Sequence, residues 1–318
     1  MYLSRRRFLG SSVALTGTAL LAPALLGSCS LLGRNQGAEM DYIGDPEGFE
    51  RSRDYLRRTG ARSLNLMGLE ESLNSGTSRV LLDVSSPTKP AYVLMLLEGG
   101  KDLLTPYPLG YSLSEYSNIS EFMEKYGRFV GILDPLAQYP SLRTLKDLLS
   151  RDKITLSHVS IRCHPRYLAD GFPVAGVTGP AQMLERAVSR STGAFPLAYQ
   201  AVFDDAGELS LIRISYGKFQ AEIYLDPGQS GWGMRFEGKN FRAELDHTGL
   251  LALDGEPEPR LSPDPHVLIK SIRSTVRDFL SATEDRTEPA ANHLDGLASI
   301  VLNSAVEESL RTGREVAR

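Results

Sequence analysis

The chain has 318 residues, 42% of them hydrophobic and 23% charged, with 35 basic and 39 acidic side chains and a formal net charge of −4. That acidic balance speaks against a nucleic-acid partner and gives an anionic membrane face nothing to attract. Two cysteines leave no disulfide framework, so the fold must rest on its hydrophobic core, for which the length is ample.

Residues 1–28 read as an export signal rather than a spanning helix. "MYLSRRRFLG" sets three arginines ahead of about twenty uncharged residues, "SSVALTGTALLAPALLGSCS". Ser4-Arg5-Arg6-Arg7-Phe8-Leu9 resembles the twin-arginine motif, with Arg5 and Arg6 as its pair, and Leu26-Gly27-Ser28-Cys29 resembles a bacterial lipobox. Cys29 is then the expected first mature residue, acylated and anchored to a bacterial membrane on its periplasmic or outer face. Two or more acyl chains, at about 0.8 kcal/mol per buried methylene, hold where a single chain does not. Residues 29–39 form a lipidated tether. Cys163 is the one cysteine left, and no intrachain disulfide can form.

From residue 40 to residue 150, short β-rich runs alternate with amphipathic stretches, the pattern of a parallel sheet with crossover helices. "MDYIGDP" predicts a strand and "EGFERSRDYLRRTG" a helix; "ARSLN" and "GLEESLNSG" predict a weaker strand and a short helix. "SRVLLDVSSP" reads as a buried strand, "TKPAYVLMLLEGG" as its helix and "KDLLTPYP" as the next strand. "SLSEYSNISEFMEKYG" opens on a capping box at Ser112 and Glu115 and stops at Gly127, after which "RFVGIL" completes the series.

Over residues 151–318 the rhythm changes to strands separated by tight turns. "KITLSHVSIRC", "LAYQAVFDDAG", "ELSLIRISYG", "KFQAEIYLDPG", "WGMRFEG" and "NFRAELDHTG" alternate with period two and predict an antiparallel sheet. The helix "PAQMLERAVSRSTG" interrupts it. "DGEPEPRLSPDPHV" reads as a connection into two closing helices, "DPHVLIKSIRSTVRDFLSAT" and "ANHLDGLASIVLNSAVEESLRTGREV". The predicted fold class is α/β plus α+β: an incomplete Rossmann-like parallel sheet followed by an open antiparallel sheet with helices.

Two stretches resemble the Gfo/Idh/MocA oxidoreductases. "SIRSTVRDFLSATEDRTEPAANHLDGLASIVLNSAVEESLRTGREV" is similar to that family's closing pattern, with "DGL" capping a last helix that ends in "TGR-V". "LLEGGKDLLTPYPLGYSLSEYSNISEFMEKYGRFVGI" is similar to its middle segment, where a helix ending in "GK" leads to a strand, a Glu-Lys-Pro site and a helix. The resemblance implies a dinucleotide-binding domain followed by an open sheet, NAD(P)-dependent chemistry on sugars or polyols, and association through that sheet.

The departures bear on function. The G-x-G-x-x-G turn that cradles a pyrophosphate at a helix N-terminus is nowhere in the chain. "MDYIGDP" resembles the family's second strand with Asp45 at the ribose-reading position, so a truncated, degenerate copy without the first βαβ unit is expected. Glu-Lys-Pro becomes Pro106-Tyr107-Pro108, which puts Tyr107 at the family's lysine position. A phenol of ordinary pKa, about 10, serves as a base near neutrality only beside a cation. The family's Asp-x-Gly-x-His falls on Val177-Thr178-Gly179-Pro180-Ala181, with Ala181 in place of the histidine. Ser85 and Pro87 follow a strand at the edge where the family touches cofactor, though by their residues alone they read as a strand-end turn.

Other candidates reduce to structure. His158, His164, His247, His266 and His293 include no ligand pair at helical spacing, so no metal is expected. Cys163 and His164 are neighbours on a strand and point to opposite faces, while Trp232 reads as a hairpin residue packed across the sheet. The expectation is an exported, membrane-anchored protein without hydride transfer and without a cofactor, serving as a carbohydrate-binding or assembly partner. Its expected partners are membrane lipid through Cys29, a second copy or an intact paralogue through the C-terminal sheet, and a carbohydrate. The alternative is an active NAD(P)-dependent sugar or polyol oxidoreductase with an atypical cofactor site.

Overall fold

The computed structural model describes residues 38–56, 61–168, 178–259 and 261–317. The export motif with Arg5 and Arg6, the acylation site Cys29 and most of the tether lie outside the described residues.

The first half alternates as its sequence predicts. Strands β1 (Ala38–Gly44), β2 (Ala61–Leu66), β3 (Arg79–Asp83), β4 (Asp102–Thr105) and β5 (Val130–Ile132) are separated by helices α1 (Pro46–Leu56), α2 (Leu69–Asn74), α3 (Lys89–Glu98) and α4 (Leu113–Tyr126). All pairings are parallel, and the order is β2-β1-β3-β4-β5. Val80, Leu81 and Leu82, like Leu103 and Leu104, are buried on both faces, which is why these strands read as apolar runs. The predicted capping box is present. The Glu115 amide donates to Ser112 Oγ at 3.2 Å and the Ser112 amide donates to Glu115 Oε2 at 3.0 Å.

Among the described residues this sheet is one strand short of the six-stranded doubly wound order. The order β2-β1-β3-β4-β5 is the doubly wound order 3-2-1-4-5-6 with its first strand removed, so β1 takes the place of a second strand, as the sequence suggests, and Asp45 follows its end.

A 3-10 turn (Pro135–Gln138) and helix α5 (Pro140–Arg151), which the sequence reading leaves unassigned, follow β5. Leu142, Leu145, Leu148 and Leu149 form the buried stripe of α5. The second sheet has nine strands: β6 (Leu156–Cys163), β7 (Ala198–Phe203), β8 (Leu209–Ser215), β9 (Gln220–Leu225), β10 (Trp232–Gly238), β11 (Phe241–Asp246), β12 (Leu251–Leu253), β13 (Glu256–Pro257) and β14 (Val316–Ala317). It is mixed and not purely antiparallel, because β6 and β9 pair in parallel. Part of the stretch taken as a connection, Glu256–Pro257, pairs with β12.

Helix α6 (Ala181–Thr192) and the closing helices α7 (Val267–Glu284) and α8 (His293–Thr312) complete the fold. The closing helices reach back to the parallel sheet. Arg79 Nε donates to Thr283 Oγ1 at 2.8 Å, Thr275 Oγ1 donates to the Asp134 carbonyl at 3.1 Å, and the Ile132 amide donates to the Ala291 carbonyl at 2.9 Å. Trp232 is fully buried and packs on Tyr139 with ring centroids 5.3 Å apart, as a residue packed across the sheet. Among the described residues no helix is long and apolar enough to cross a membrane.

The outward face of the second sheet is polar. Arg213 pairs with Glu222 at 3.0 Å, and Arg235 and Arg242 both pair with Glu244, at 2.8 and 2.5 Å. Period-two alternation sends Val159, Ile161 and Cys163 inward, so His158, Ser160 and Arg162 face out.

Candidate functional site

In an open parallel sheet ligands bind beyond the carboxyl ends of the strands, where the strand order reverses. Here that point lies between β1 and β3. The turns after these two strands bring together Asp45, Ser85 and Pro87, with Tyr107 beyond the neighbouring β4.

The β1 turn, Gly44-Asp45-Pro46-Glu47-Gly48, opens α1 at the carboxyl edge of the sheet, where a helix N-terminus can take an anion. Two of its amides are already engaged. Pro46 has no amide hydrogen, the Gly48 amide donates to Asp45 Oδ1 at 2.8 Å, and the Phe49 amide donates to the Asp45 carbonyl at 3.0 Å. Beneath the turn, Tyr42 Oη donates to Asp83 Oδ2 at 2.8 Å. Burial, followed by the charges of Asp83 and Asp45, pushes the Tyr42 phenol far up. A Cβ on Gly48 would run into Tyr42 Oη and lie 3.1 Å from carboxylate oxygens of both Asp45 and Asp83. The turn is thus closed, acidic and short of free donors, and these residues do not fit a pyrophosphate. Asp45 acts as the helix cap, the anion that the N-terminus would otherwise take from a ligand.

The β3 turn is solvent-exposed at Ser85 and Pro87, and Ser86 Oγ lies 2.5 Å from Thr88 Oγ1. It reads as a strand-end turn. One residue further, Lys89 is fully buried at the first position of α3, and its Nζ donates to the Pro106 carbonyl at 2.6 Å. Burial lowers the Lys89 pKa to about 7 against the opposing pull of Asp83. Sequence reasoning overlooked this amine. The signal available was a lysine placed between the "SSP" turn and Pro90 at a helix start, in a crevice-forming position.

Tyr107 is 1% exposed and lies buried just beyond the end of β4. Its hydroxyl donates to Asp134 Oδ2 at 3.1 Å. The same oxygen receives Arg190 Nη1 at 2.7 Å, and Arg190 and Arg186 both pair with Asp295, at 2.9 and 2.7 Å. Burial, with Asp134 and Asp295 behind it, raises the Tyr107 pKa well above the ordinary phenol value despite the two arginines. Burial works against the Asp295 carboxylate too, yet Arg190 and Arg186 hold its pKa below the usual range. Tyr107 is consequently a hydrogen-bond donor inside an ion network and is unsuited to act as a base.

Ala181 is buried at the start of α6 and offers no titratable group; nearby, Thr178 Oγ1 donates to Asn303 Oδ1 at 2.6 Å. Helix α6 contributes Arg186 and Arg190 to the Tyr107 network, and its Glu185 accepts from Ser189 at 2.6 Å and Tyr216 at 3.2 Å. Burial pushes the Cys163 thiol up to about 12, and His164 turns away to accept the amides of Arg166 and Tyr167 at 3.0 and 3.2 Å. Among the described residues no cluster of histidine, cysteine and carboxylate side chains has the arrangement of a metal site.

This architecture, a parallel sheet followed by a large sheet with closing helices, recurs in solved oxidoreductases. The oxidoreductase domain protein of Kribbella flavida superposes with a TM-score of 0.73 at 14% identity, covering 88% of this chain and 99% of that one. The fold is that of the Gfo/Idh/MocA oxidoreductases. The aldose-aldose oxidoreductase of Caulobacter crescentus, complexed with glycerol, matches with a TM-score of 0.68 at 14% identity over 89% of this chain and all of that one. An oxidoreductase of Agrobacterium radiobacter, in complex with NAD+, L-tartaric acid and magnesium, matches with a TM-score of 0.69 at 13% identity over 89% and 98%. No protein-family model matches the sequence, and no curated protein sequence matches it. On the Gfo/Idh/MocA fold the closed β1 turn occupies the cofactor edge, and Tyr107 with Lys89 occupies the strand end beside it.

Proposed function

We propose that the protein is an exported, lipid-anchored protein of Gfo/Idh/MocA fold that carries out no hydride transfer and binds a carbohydrate. The observation that carries this reading is the β1 turn, where Asp45 takes the helix N-terminus and Tyr42 and Asp83 close the space beneath Gly48. A bound pyrophosphate would lack the glycine turn that follows a first strand, and the α1 N-terminus offers it a carboxylate and a proline in place of amide donors. The burial of Tyr107 in a satisfied ion network supports the same reading, since the lysine position of the family holds a side chain with no access to solvent. The polyhydroxylated molecules in two of the similar structures, glycerol and L-tartaric acid, support a carbohydrate as ligand. Export and anchoring rest on the twin-arginine and lipobox residues Arg5, Arg6 and Cys29. Association with a second copy or with an intact paralogue is a further role open to the polar face of the nine-stranded sheet.

Titration of the detergent-purified chain with NAD(H) and NADP(H), followed by calorimetry, tests the reading. No binding at millimolar cofactor is expected. Micromolar binding, about −8 kcal/mol, would overturn it. The second reading, an NAD(P)-dependent oxidoreductase with an atypical cofactor site, draws support from Lys89, which brings an amine of near-neutral pKa to the strand end that lacks the family's lysine.

A further inference from the structure

The open face of the second sheet carries a depression apart from the β1 turn and the Tyr107 network. Gly233 on β10 pairs with Arg162 on β6 and with Asp246 on β11. Having no side chain, it floors a cavity of about 420 Å³ walled by Ser160, Arg162, Gln229, Arg235, Glu244 and Asp246. That volume falls in the range of small-ligand pockets, about 300–1,000 Å³.

The charges in this cavity are unevenly satisfied. Arg235 is paired with Glu244 at 2.8 Å. Asp246 Oδ1 accepts the Thr248 hydroxyl at 2.6 Å and the amides of Thr248 and Leu250 at 2.9 and 3.3 Å. Arg162 differs. Its guanidinium lies over the Tyr224 ring, 5.8 Å from the centroid, and among the described residues no carboxylate comes within ion-pair distance of it. A guanidinium steadied on an aromatic face keeps its planar fork of donors available, and that fork matches a carboxylate in bidentate geometry. Around it stand a hydroxyl, an amide and two carboxylates, the groups that exchange hydrogen bonds with sugar hydroxyls.

We propose that this depression binds a sugar acid, a ring or chain bearing hydroxyls and one carboxylate. The carboxylate pairs with Arg162, and the hydroxyls face Ser160, Gln229 and Asp246. A neutral sugar would leave Arg162 unpaired, and a compact inorganic anion would meet Glu244 and Asp246 with no hydroxyl to offer them. The proposal rests on the carbohydrate reading above and supplies its location and ligand class.

Calorimetric titration of the detergent-purified full chain with D-glucuronate and D-galacturonate, beside D-glucose and D-galactose, tests it. Saturable binding of a uronate is expected, weakened at least tenfold in Arg162→Ala and abolished in Gly233→Val. A Cβ at residue 233 meets only the Leu245 carbonyl oxygen, at 3.7 Å, which is ordinary contact. The floor therefore has room for the Cβ of the valine, and an unchanged melting temperature confirms that the variant is folded. Uronate binding that survives both substitutions would overturn the proposed site. Neutral sugars binding as tightly as uronates would overturn the ligand class while leaving the carbohydrate reading standing. If no sugar of either kind binds, both fall.

Discussion

Replacing Lys89 by methionine is expected to change stability by an amount that depends on pH. The folded-state pKa of Lys89 is about 7 against an ordinary 10.5, with burial the main cause and Asp83 opposing it. Between these two values the unfolded chain holds a proton that the folded chain does not, so stability rises with pH across the window. Below pH 7 the buried ammonium costs about 5 kcal/mol, at about 1.4 kcal/mol per pH unit of difference. By pH 9 the remaining cost is about 2 kcal/mol. Methionine removes this term but leaves the Pro106 carbonyl without its 2.6 Å donor, a loss of about 1–3 kcal/mol. The variant should therefore be about 2–4 kcal/mol more stable than the parent at pH 6 and close to parity at pH 9. Denaturant unfolding from pH 6 to pH 9, read by the fluorescence of the single, fully buried Trp232, measures the difference. A difference that stays constant over this range would refute the reasoning, because a solvent-accessible or permanently charged Lys89 gives no slope.

Removing the shared anion of the Tyr107 network should be severe: Asp134→Asn leaves Arg190 short of a buried partner and is expected to cost about 3–5 kcal/mol in denaturant unfolding. The exposed Lys270–Asp264 pair at 2.5 Å serves as contrast, since Asp264→Asn should leave the melting temperature essentially unchanged. In the β1 turn, Gly48→Ala drives a methyl group into Tyr42 Oη and is expected to destabilise by about 1–3 kcal/mol in thermal melts. A neutral result there would mean that the crevice holds more room than the Tyr42–Asp83 contact allows.

Much of the architecture is legible in the sequence because its signals are local. The run "RVLLD" reads as a strand buried on both faces, Ser112 and Glu115 announce a helix start, and the glycine and aspartate turns after residue 198 mark hairpins. Strand order is not local. β1 takes an interior place because it pairs on both sides, with β2 and β3, and nothing in "MDYIGDP" encodes those partners. The site was harder to read for the same reason. Tyr107 is recognisable as a departure from Glu-Lys-Pro, but its burial depends on Asp134, Arg190 and Asp295, which lie 27 or more residues away. Glu185 and Arg186 look like the solvated face of a helix, and the packing of α6 against α8 is what buries them. Lys89 passes for a first-turn surface lysine until α3 is seated on β4.

The balance of charge around Tyr107 makes the group intolerant of a further cation. Two guanidiniums, Arg186 and Arg190, face two carboxylates, Asp134 and Asp295, with the neutral phenol completing the set. A lysine at residue 107 would add a third cation to a dry, evenly matched group, and its charge would be buried there without a carboxylate of its own.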